Sequence, residues 1–254
     1  MRANQAYLVR LDGATAQTLN VAGTPVLAKR RWAADSYTLT GFEVDETTPP
    51  NFAEYFVGSS AHLGADIYSL DPSGQWVSAS PNAPIASGAA YWVWTHGAST
   101  YQGPLEVSLD QSGELDFTRN LSDQTLTFSS ALDVDTDIVI QRAVSGDVMP
   151  LVFEIEDPDT AETAWPNLPD TAIVPVASRS SNLLNLGVRR ADFTALHMEE
   201  ILEISNGFGV RKRLRVLADT FQPVIPPTAK LDGAAKSARA AKATMDPYAG
   251  LWIG

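Results

Sequence analysis

The chain has 254 residues, of which 44% are hydrophobic and 19% charged, proportions typical of a folded globular protein. Its formal net charge of −12 argues against a nucleic-acid partner, because such proteins neutralise phosphates with a basic surface. The absence of cysteine excludes disulfides, thiolate catalysis and cysteine-ligated zinc.

No stretch reaches the roughly 18 consecutive apolar residues of a transmembrane helix, so we predict no membrane span. The N-terminal sequence MRANQAYLVRLDG also lacks the apolar core of a signal peptide. We therefore expect either a cytoplasmic protein, if Met1 is the natural start, or an extracellular or cell-surface segment that belongs to a longer chain.

Short apolar segments separated by Gly, Pro, Asn and Asp predict an all-β fold. In the first part of the chain the predicted strands are residues 6–11, 18–22, 37–44, 66–70, 75–79, 90–95 and 104–109. The tetrapeptide DPSG at 71–74 predicts a tight hairpin with Tyr68 and Trp76 on its arms. One short helix is predicted at 51–57, with Asn51 as the N-cap of a capping box.

From about residue 110 the strands recur with the rhythm of a β-sandwich. We predict two domains, a β module over 1–108 and an immunoglobulin-like sandwich over 109–218. Residues 219–254 are rich in Pro and Ala and predict a linker with a short terminal strand. Both ends of the sequence resemble the interior of a longer protein.

The clearest hairpin is EEILEISNGFGVRKRLRV, which begins at Glu199. A four-residue loop at 206–209 sets Glu203 opposite Lys212 and Ile201 opposite Leu214. A two-residue Asn-Gly loop shifts every pair. We predict the four-residue loop, because it matches opposite charges and apolar partners.

Two stretches of the chain echo each other. In residues 5–21 and again in 89–107, an Ala-Tyr pair leads an apolar run, and a Gly follows six residues after the Tyr. The second copy closes the predicted β module, so the first is interpreted as the last hairpin of a preceding module. We expect residues 5–21 either to pair into the first domain in place of a missing neighbour, or to pair symmetrically with the strand AYWVWTHGA of the second copy.

The second copy also carries a candidate ligand-binding surface. In a strand, Trp92 and Trp94 point to the same face, and with Trp76 and Tyr101 nearby they form a candidate stacking platform for sugar rings. The alternative is that both faces of this strand are covered. The echoed strand has a leucine and an arginine at the two tryptophan positions, which favours this alternative.

Asp133, Asp135 and Asp137 alternate in LDVDTDIVI and share one face if the segment is extended. Carboxylate oxygens are the ligands that Ca²⁺ prefers, which makes these three a candidate calcium site. The segment lacks the Gly and the distal Glu of an EF-hand loop, and a solvated acidic edge is the alternative. No other cofactor is predicted.

Catalytic motifs are absent from the sequence, and no catalytic residue is predicted. The three histidines, His62, His96 and His197, occur in neither HExxH nor a two-histidine metal spacing, and there is no GxSxG elbow, P-loop or dinucleotide fingerprint. A Ser-His-Asp triad assembled by folding stays open, because triads are recognised by geometry rather than spacing.

Residues 37–97 resemble a recurrent module of exported bacterial multidomain proteins, in which a strand with an internal Gly and a helix lead to a Trp hairpin and a closing strand. The likeness is carried by Gly41, Phe42, Trp76, Gly88, Tyr91 and Trp92. Residues 110–218 resemble an immunoglobulin-like sandwich in pattern, without the Cys-Trp-Cys signature.

The resemblance implies a non-catalytic structural or interaction segment of a larger bacterial surface or secreted protein. The alternative is a carbohydrate- or protein-binding module that uses the aromatic face of the first domain, and a third is a hydrolase with a triad not visible in sequence. The expected partners are other protein domains or a surface polymer. The oligomeric state stays open.

Overall fold

The computed structural model describes residues 23–27, 29–109, 113–118, 121–143, 148–156 and 161–220. The predictions for residues 5–21, including the echoed strand, lie outside the described residues. So does the predicted tail from residue 221 onward.

The described chain is all-β, with a single α-helical turn and two short 3₁₀ helices. Its elements in chain order are β1 Ser36–Thr40, α1 Phe52–Tyr55, the 3₁₀ helix Ser60–His62, β2 Ile67–Leu70, β3 Trp76–Ser78, β4 Tyr91–Thr95, β5 Leu105–Leu109, β6 Leu115–Phe117, β7 Asp123–Ser130, β8 Thr136–Arg142, β9 Leu151–Phe153, β10 Ile155–Glu156, β11 Thr163–Ala164, β12 Thr171–Val176, β13 Ser181–Val188, the 3₁₀ helix Arg190–Asp192, β14 His197–Asn206 and β15 Arg211–Asp219. The prediction of an all-β fold is confirmed.

The first sheet is antiparallel and has the strand order β1-β4-β2-β3. Its inner face carries Tyr91, Val93 and Ile67, all buried. Phe52 of α1 packs against this face, with its ring 5.0 Å from that of Tyr91. The apolar core of this unit therefore lies between the sheet and the helical turn.

The helical turn begins at the predicted N-cap. The side chain of Asn51 accepts a hydrogen bond from Glu54 N at 2.9 Å, and the Glu54 carboxylate accepts one from Asn51 N at 2.8 Å. The helix ends at Tyr55 rather than at the predicted residue 57, and the chain turns at Gly58, where φ is +79°. A residue without a Cβ tolerates that backbone conformation.

The DPSG turn joins β2 to β3 as predicted. The carboxylate of Asp71 accepts hydrogen bonds from Ser73 N at 2.9 Å and from Gln75 N at 2.8 Å. Gly74 adopts a φ of +81°, which a residue without a Cβ tolerates. Trp76 is thereby set opposite Leu70 on the hairpin.

The rest of the described chain forms a β-sandwich. One sheet has the order β12-β8-β14-β15-β6 and the other β5-β7-β13-β9, while β10 and β11 form a separate ribbon. Side chains that alternate along the facing strands fill the space between the sheets, among them the fully buried Leu126, Phe128, Ile138, Leu202 and Leu214.

Two strands that follow each other in the chain, β5 and β6, belong to different sheets, and each is an edge strand of its sheet. Strand β5 pairs antiparallel with β7 in one sheet, and β6 pairs parallel with β15 in the other. The predicted division after residue 108 falls within β5. The division of the chain into two domains itself stays a prediction.

The register predicted for the β14–β15 hairpin is wrong by one residue. Glu203 pairs with Arg213 rather than Lys212, and Leu202 pairs with Leu214. The loop is 207–209 and is stabilised by the side chain of Asn206.

That side chain accepts hydrogen bonds from Phe208 N at 3.2 Å and from Val210 N at 3.1 Å. The loop closes at Gly209, whose φ is +75°. The one-residue shift places Arg211, Arg213 and Glu203 on the outer face of the sheet. There Glu203 lies 3.3 Å from the first arginine and 3.6 Å from the second.

The tip of this hairpin pairs with the first unit. Val44 and Val210 form an antiparallel bridge, Asp45 N donates to Gly209 O at 2.8 Å, and Arg211 N donates to Glu43 O at 3.3 Å. The predicted strand 37–44 is therefore wrong in its second half, because β1 ends at Thr40 and the continuation pairs with the sandwich. Buried residues of both units belong to one hydrophobic cluster.

Candidate functional site

The outer face of the first sheet is aromatic. Tyr37 pairs with Trp94 across β1 and β4, and Tyr68 pairs with Trp92 across β2 and β4. Trp76, on β3, lies beside them, because it is set opposite Leu70, two residues along β2 from Tyr68. Since side chains alternate along a strand, all five aromatic rings share the face opposite the core. We call these five residues the aromatic face.

The rings of the aromatic face contact one another edge to face. Tyr37 lies 4.9 Å from Trp94 at an interplanar angle of 67°, and 5.8 Å from Tyr68 at the same angle. Trp76 lies 6.1 Å from Trp92 at 63°. These T-shaped contacts make a corrugated surface rather than a row of coplanar rings.

The aromatic face is open to solvent on its outer side. Tyr37 is 39% exposed and the neighbouring Leu70 44% exposed, while Tyr68 and the three tryptophans are half-buried. None of the five aromatic residues belongs to the buried core.

Positive charge is missing from this part of the sequence. No Lys or Arg occurs between Arg31 and Arg119. Asp35 precedes β1, Asp66 precedes β2 and Asp71 follows β2, so three carboxylates lie at the ends of the strands that carry the aromatic face.

The pKa of Tyr37 is raised above its ordinary value. Its surroundings desolvate the phenol, its hydrogen bond with Tyr68 acts in the same direction, and the negative charge of Asp66 adds to the effect. Each of these disfavours the phenolate form of Tyr37.

The structure brings together three of the four predicted aromatic ligand-binding residues. Tyr101 lies elsewhere, packed against the core, and its hydroxyl donates to Tyr55 O at 2.9 Å and to Val57 O at 2.6 Å. Burial raises the pKa of this phenol. The sequence analysis did not include Tyr37 and Tyr68 in the site. Alternation within each predicted strand gives the residues that share a face, but the register between strands is also needed to identify these two.

The three predicted calcium-ligating aspartates are all exposed, but they are not on one strand. Asp133 and Asp135 lie in the turn before β8, and Asp137 is on β8. Asp133 pairs with Arg179, whose hydrogen bond lowers the pKa of that carboxyl, and Asp135 accepts a hydrogen bond from Ser178 N at 2.8 Å. Within the described ranges no group of three or more metal-ligating side chains is positioned to hold an ion. Calcium binding stays a prediction.

His62 is the buried histidine. Its Nδ1 lies 2.6 Å from the hydroxyl of Ser59 and its Nε2 lies 3.5 Å from that of Thr95. Burial first, and then the positive charge of Arg30, lower its pKa to about 4, so the ring is neutral at pH 7. A Ser-His contact therefore exists, but the hydrogen bonds found for its imidazole go to two hydroxyls and to no carboxylate.

The other two histidines have separate surroundings. His197 lies 2.6 Å from a carboxylate oxygen of Asp219 at an exposed site, and His96 accepts a hydrogen bond from Trp94 Nε1 at 3.3 Å. Neither contact includes a serine.

An open cleft of about 510 Å³ lies beside α1 and is lined mostly by apolar side chains, including Phe52, Phe56 and Pro81. His62 and Ser59 lie on its wall, and Leu63, 81% exposed, is at its rim. The cleft lacks the convergent charged groups of a polar active site.

None of the helices among the described residues has the length and apolar composition needed to cross a bilayer.

No family model matches the chain, and no curated protein has significant sequence similarity to it. Among solved structures, the chain is similar to a PapD-like domain of human CEP192, with 7% identity and a TM-score of 0.30 over 47% of this chain and 86% of that one. It is also similar to the Pseudomonas aeruginosa CupB2 chaperone, with 14% identity and a TM-score of 0.30 over 45% of this chain and 56% of that one.

A third similar structure is the YadV chaperone, with 10% identity and a TM-score of 0.31 over 54% of this chain and 58% of that one. The match thus spans little more than half of either chaperone. Likenesses this distant do not indicate a function.

Proposed function

We propose that this chain is a non-catalytic structural and interaction segment of a larger bacterial surface or secreted protein. The observation that carries the proposal is the junction between the first unit and the sandwich. There, a strand segment of one unit pairs with a hairpin of the other over a shared hydrophobic core. Such a junction fixes the orientation of two units along a chain, which is what a spacer or presenting scaffold requires.

Ion pairs reinforce the junction. Arg211 lies 2.5 Å from a carboxylate oxygen of Asp45, and the ammonium of Lys212, almost buried, lies 3.4 Å from Glu43. The pKa of Asp45 is held well below its usual range, chiefly by hydrogen bonds from Thr47 and Thr48, with Arg211 contributing. The carboxyl group of Asp45 therefore stays ionised, and available to pair with Arg211, down to unusually low pH.

The surroundings of His62 support a non-catalytic role. A general base that activates a serine is normally oriented by a third group, and here the second ring nitrogen faces only the Thr95 hydroxyl at 3.5 Å. The imidazole is also stacked on Phe56, with ring centroids 4.4 Å apart. This is the packing of a core side chain.

Spin labelling tests the rigid junction. The chain has no cysteine, so Ser87→Cys and Leu183→Cys, both at exposed positions, place one label on each unit. We expect one narrow distance distribution between the labels. A broad distribution in the otherwise unsubstituted chain would contradict the proposal.

A matched pair of arginine variants sharpens this test. Arg211→Ala should broaden the distribution, because Arg211 bridges to Asp45 across the junction. Arg213→Ala should leave it unchanged, since Arg213 is more exposed and its ion pair with Glu203 lies within the hairpin. In the source organism, an antibody to the chain should label intact cells or the secreted fraction. Labelling only after permeabilisation would refute the surface assignment.

A second candidate function is a binding module, and the aromatic face favours it. Half-exposed tryptophans on an uncharged strand surface are typical of sites that contact a partner. The edge-to-face rings fit a polypeptide better than a sugar, since sugar stacking needs an open, flat ring face. We expect no retention of the chain on polysaccharides in a glycan screen, and selective retention would reverse this preference.

A further inference from the structure

We propose that the aromatic face binds a lysine- or arginine-rich segment of a partner polypeptide. The inference rests on the second function above, the binding module, and adds the chemistry of its partner.

The first argument is the ring chemistry. A cation within about 6 Å of an aromatic ring face is attracted by the quadrupole of the ring, and tryptophan is the strongest partner. The protein already uses this contact inside the first unit, where the guanidinium of Arg30 lies 5.2 Å from the rings of Trp32 and Phe42. The aromatic face presents three tryptophans and two tyrosines, and the strands that carry them contain no cationic side chain.

The second argument is charge complementarity. Asp35, Asp66 and Asp71 lie at the ends of β1 and β2, and the sequence from residue 32 to residue 118 contains no lysine or arginine. The negative charge of Asp66 is the smallest of the effects that raise the pKa of Tyr37, so this carboxylate lies near one ring of the aromatic face. A basic segment gains Coulomb attraction here as well as ring contacts.

Other occupants are disfavoured by the same features. A polyanion is repelled by the three aspartates. A second copy of the face brings the same negative charges and no compensating cation. A neutral sugar gains no Coulomb attraction from the three aspartates.

The probe is a twelve-residue peptide of alternating lysine and threonine, titrated into the full chain while tryptophan fluorescence and binding heat are recorded. We expect saturable binding that weakens as salt is raised, because partly exposed charges are screened. The same peptide with glutamate in place of lysine should not bind. A lysine peptide that fails to bind would overturn the proposal.

Four variants separate the site from general attraction to an acidic protein. Trp76→Ser and Tyr37→Ala should each weaken the lysine peptide by about twofold to fivefold, the range expected for one cation–π contact. Two controls remove an exposed group elsewhere: Phe208→Ala at the hairpin loop and Asp137→Asn on the sandwich. Circular dichroism verifies that each variant is folded. Equal losses in all four variants, or none in the first two, would overturn the proposal.

Failure of this inference is distinguishable from failure of the binding function. A peptide of alternating glutamine and threonine, or a glycan, whose binding depends on Trp76 would leave the binding module standing and remove the cationic partner. If no probe depends on Trp76 or Tyr37, both are removed.

Discussion

At the residue scale, His62 shows how burial sets a side chain's protonation. It is 4% exposed, stacked on Phe56 at 4.4 Å and in edge contact with Trp32 at 4.5 Å. A charged imidazole in this setting loses its hydration without gaining a carboxylate. The pKa therefore falls to about 4 from an ordinary value near 6.5.

A pH dependence follows. Because the pKa is lower in the folded state, the contribution of His62 to stability is complete above pH 6.5 and is lost as the pH falls toward 4. The full loss is on the order of 3 kcal/mol. Urea unfolding between pH 4 and pH 7 should show His62→Phe losing less stability than the wild type over this window. A His197→Phe control, at an exposed position, should not reproduce that difference.

Gly209 gives a second prediction at this scale. It has a φ of +75°, and a Cβ built there would lie 2.3 Å from Thr48 O and 2.8 Å from a Pro50 side-chain carbon. Gly209→Ala combines backbone strain with a clash against the first unit, so we expect a loss of about 3 kcal/mol or more.

Gly74→Ala is the matched control. Its φ is +81°, but a Cβ there meets nothing within 4 Å, so only the strain remains, about 1 kcal/mol. Denaturant unfolding of both variants gives the comparison. Equal losses would show that close packing at Gly209 contributes little.

At the scale of elements, the buried ion pair between Arg142 and Glu200 connects β8 to β14. The two groups lie 2.6 Å apart with side chains 12% and 10% exposed, and both also bond the backbone of Met149. The segment that leads into β9 is therefore fixed by the same two charges.

Removing one of these charges should be costly. Arg142→Met leaves Glu200 buried without its partner, and we expect a loss of about 3 to 5 kcal/mol in the free energy of unfolding. Arg215→Met, which breaks the more exposed pairs with Glu199 and Glu114, should cost about 1 kcal/mol or less. The double variant Arg142→Met with Glu200→Met should recover much of the loss. An Arg142 variant no weaker than the Arg215 one would contradict this account.

Local chemistry explains which elements were predictable from the sequence. The DPSG turn and the capping box at Asn51 depend on neighbours within four residues, and both were found where predicted. The β14–β15 register was not found where predicted. Charge pairing does not decide it, because Glu203 faces an arginine in the observed register and a lysine in the predicted one. The register is set by the Asn206 side chain, which bonds the backbone of the loop, and by Gly209. Gly209 must also fit against Thr48, which is far away in sequence.

The residues of the aromatic face likewise divide into those that the sequence predicts and those that it does not. Alternation along one strand placed Trp92 and Trp94 together, and the turn brought Trp76 near them. Membership of Tyr37 depends on pairing between β1 and β4, more than 50 residues apart in sequence, and the inward turn of Tyr101 depends on Tyr55 and Val57. Pairing and burial at such separations have no local signature.

At the scale of the whole molecule, the two units should unfold together. Their buried residues form one cluster, and the strand junction and its ion pairs connect them at the hairpin tip. Differential scanning calorimetry of the full chain should give a single transition, with calorimetric and van't Hoff enthalpies equal. Two resolved transitions would show that the junction couples the units weakly.

The pairing along the edge of β15 has a consequence for dividing this protein into fragments. The edge is paired near its start by residues 43–45 of the first unit and near its end by β6. If the first unit were removed, the backbone donors and acceptors around Val210 would lose their partners. They could then form hydrogen bonds with a strand of another chain. We expect the truncated sandwich to self-associate in sedimentation experiments. We expect the chain that keeps both units not to do so.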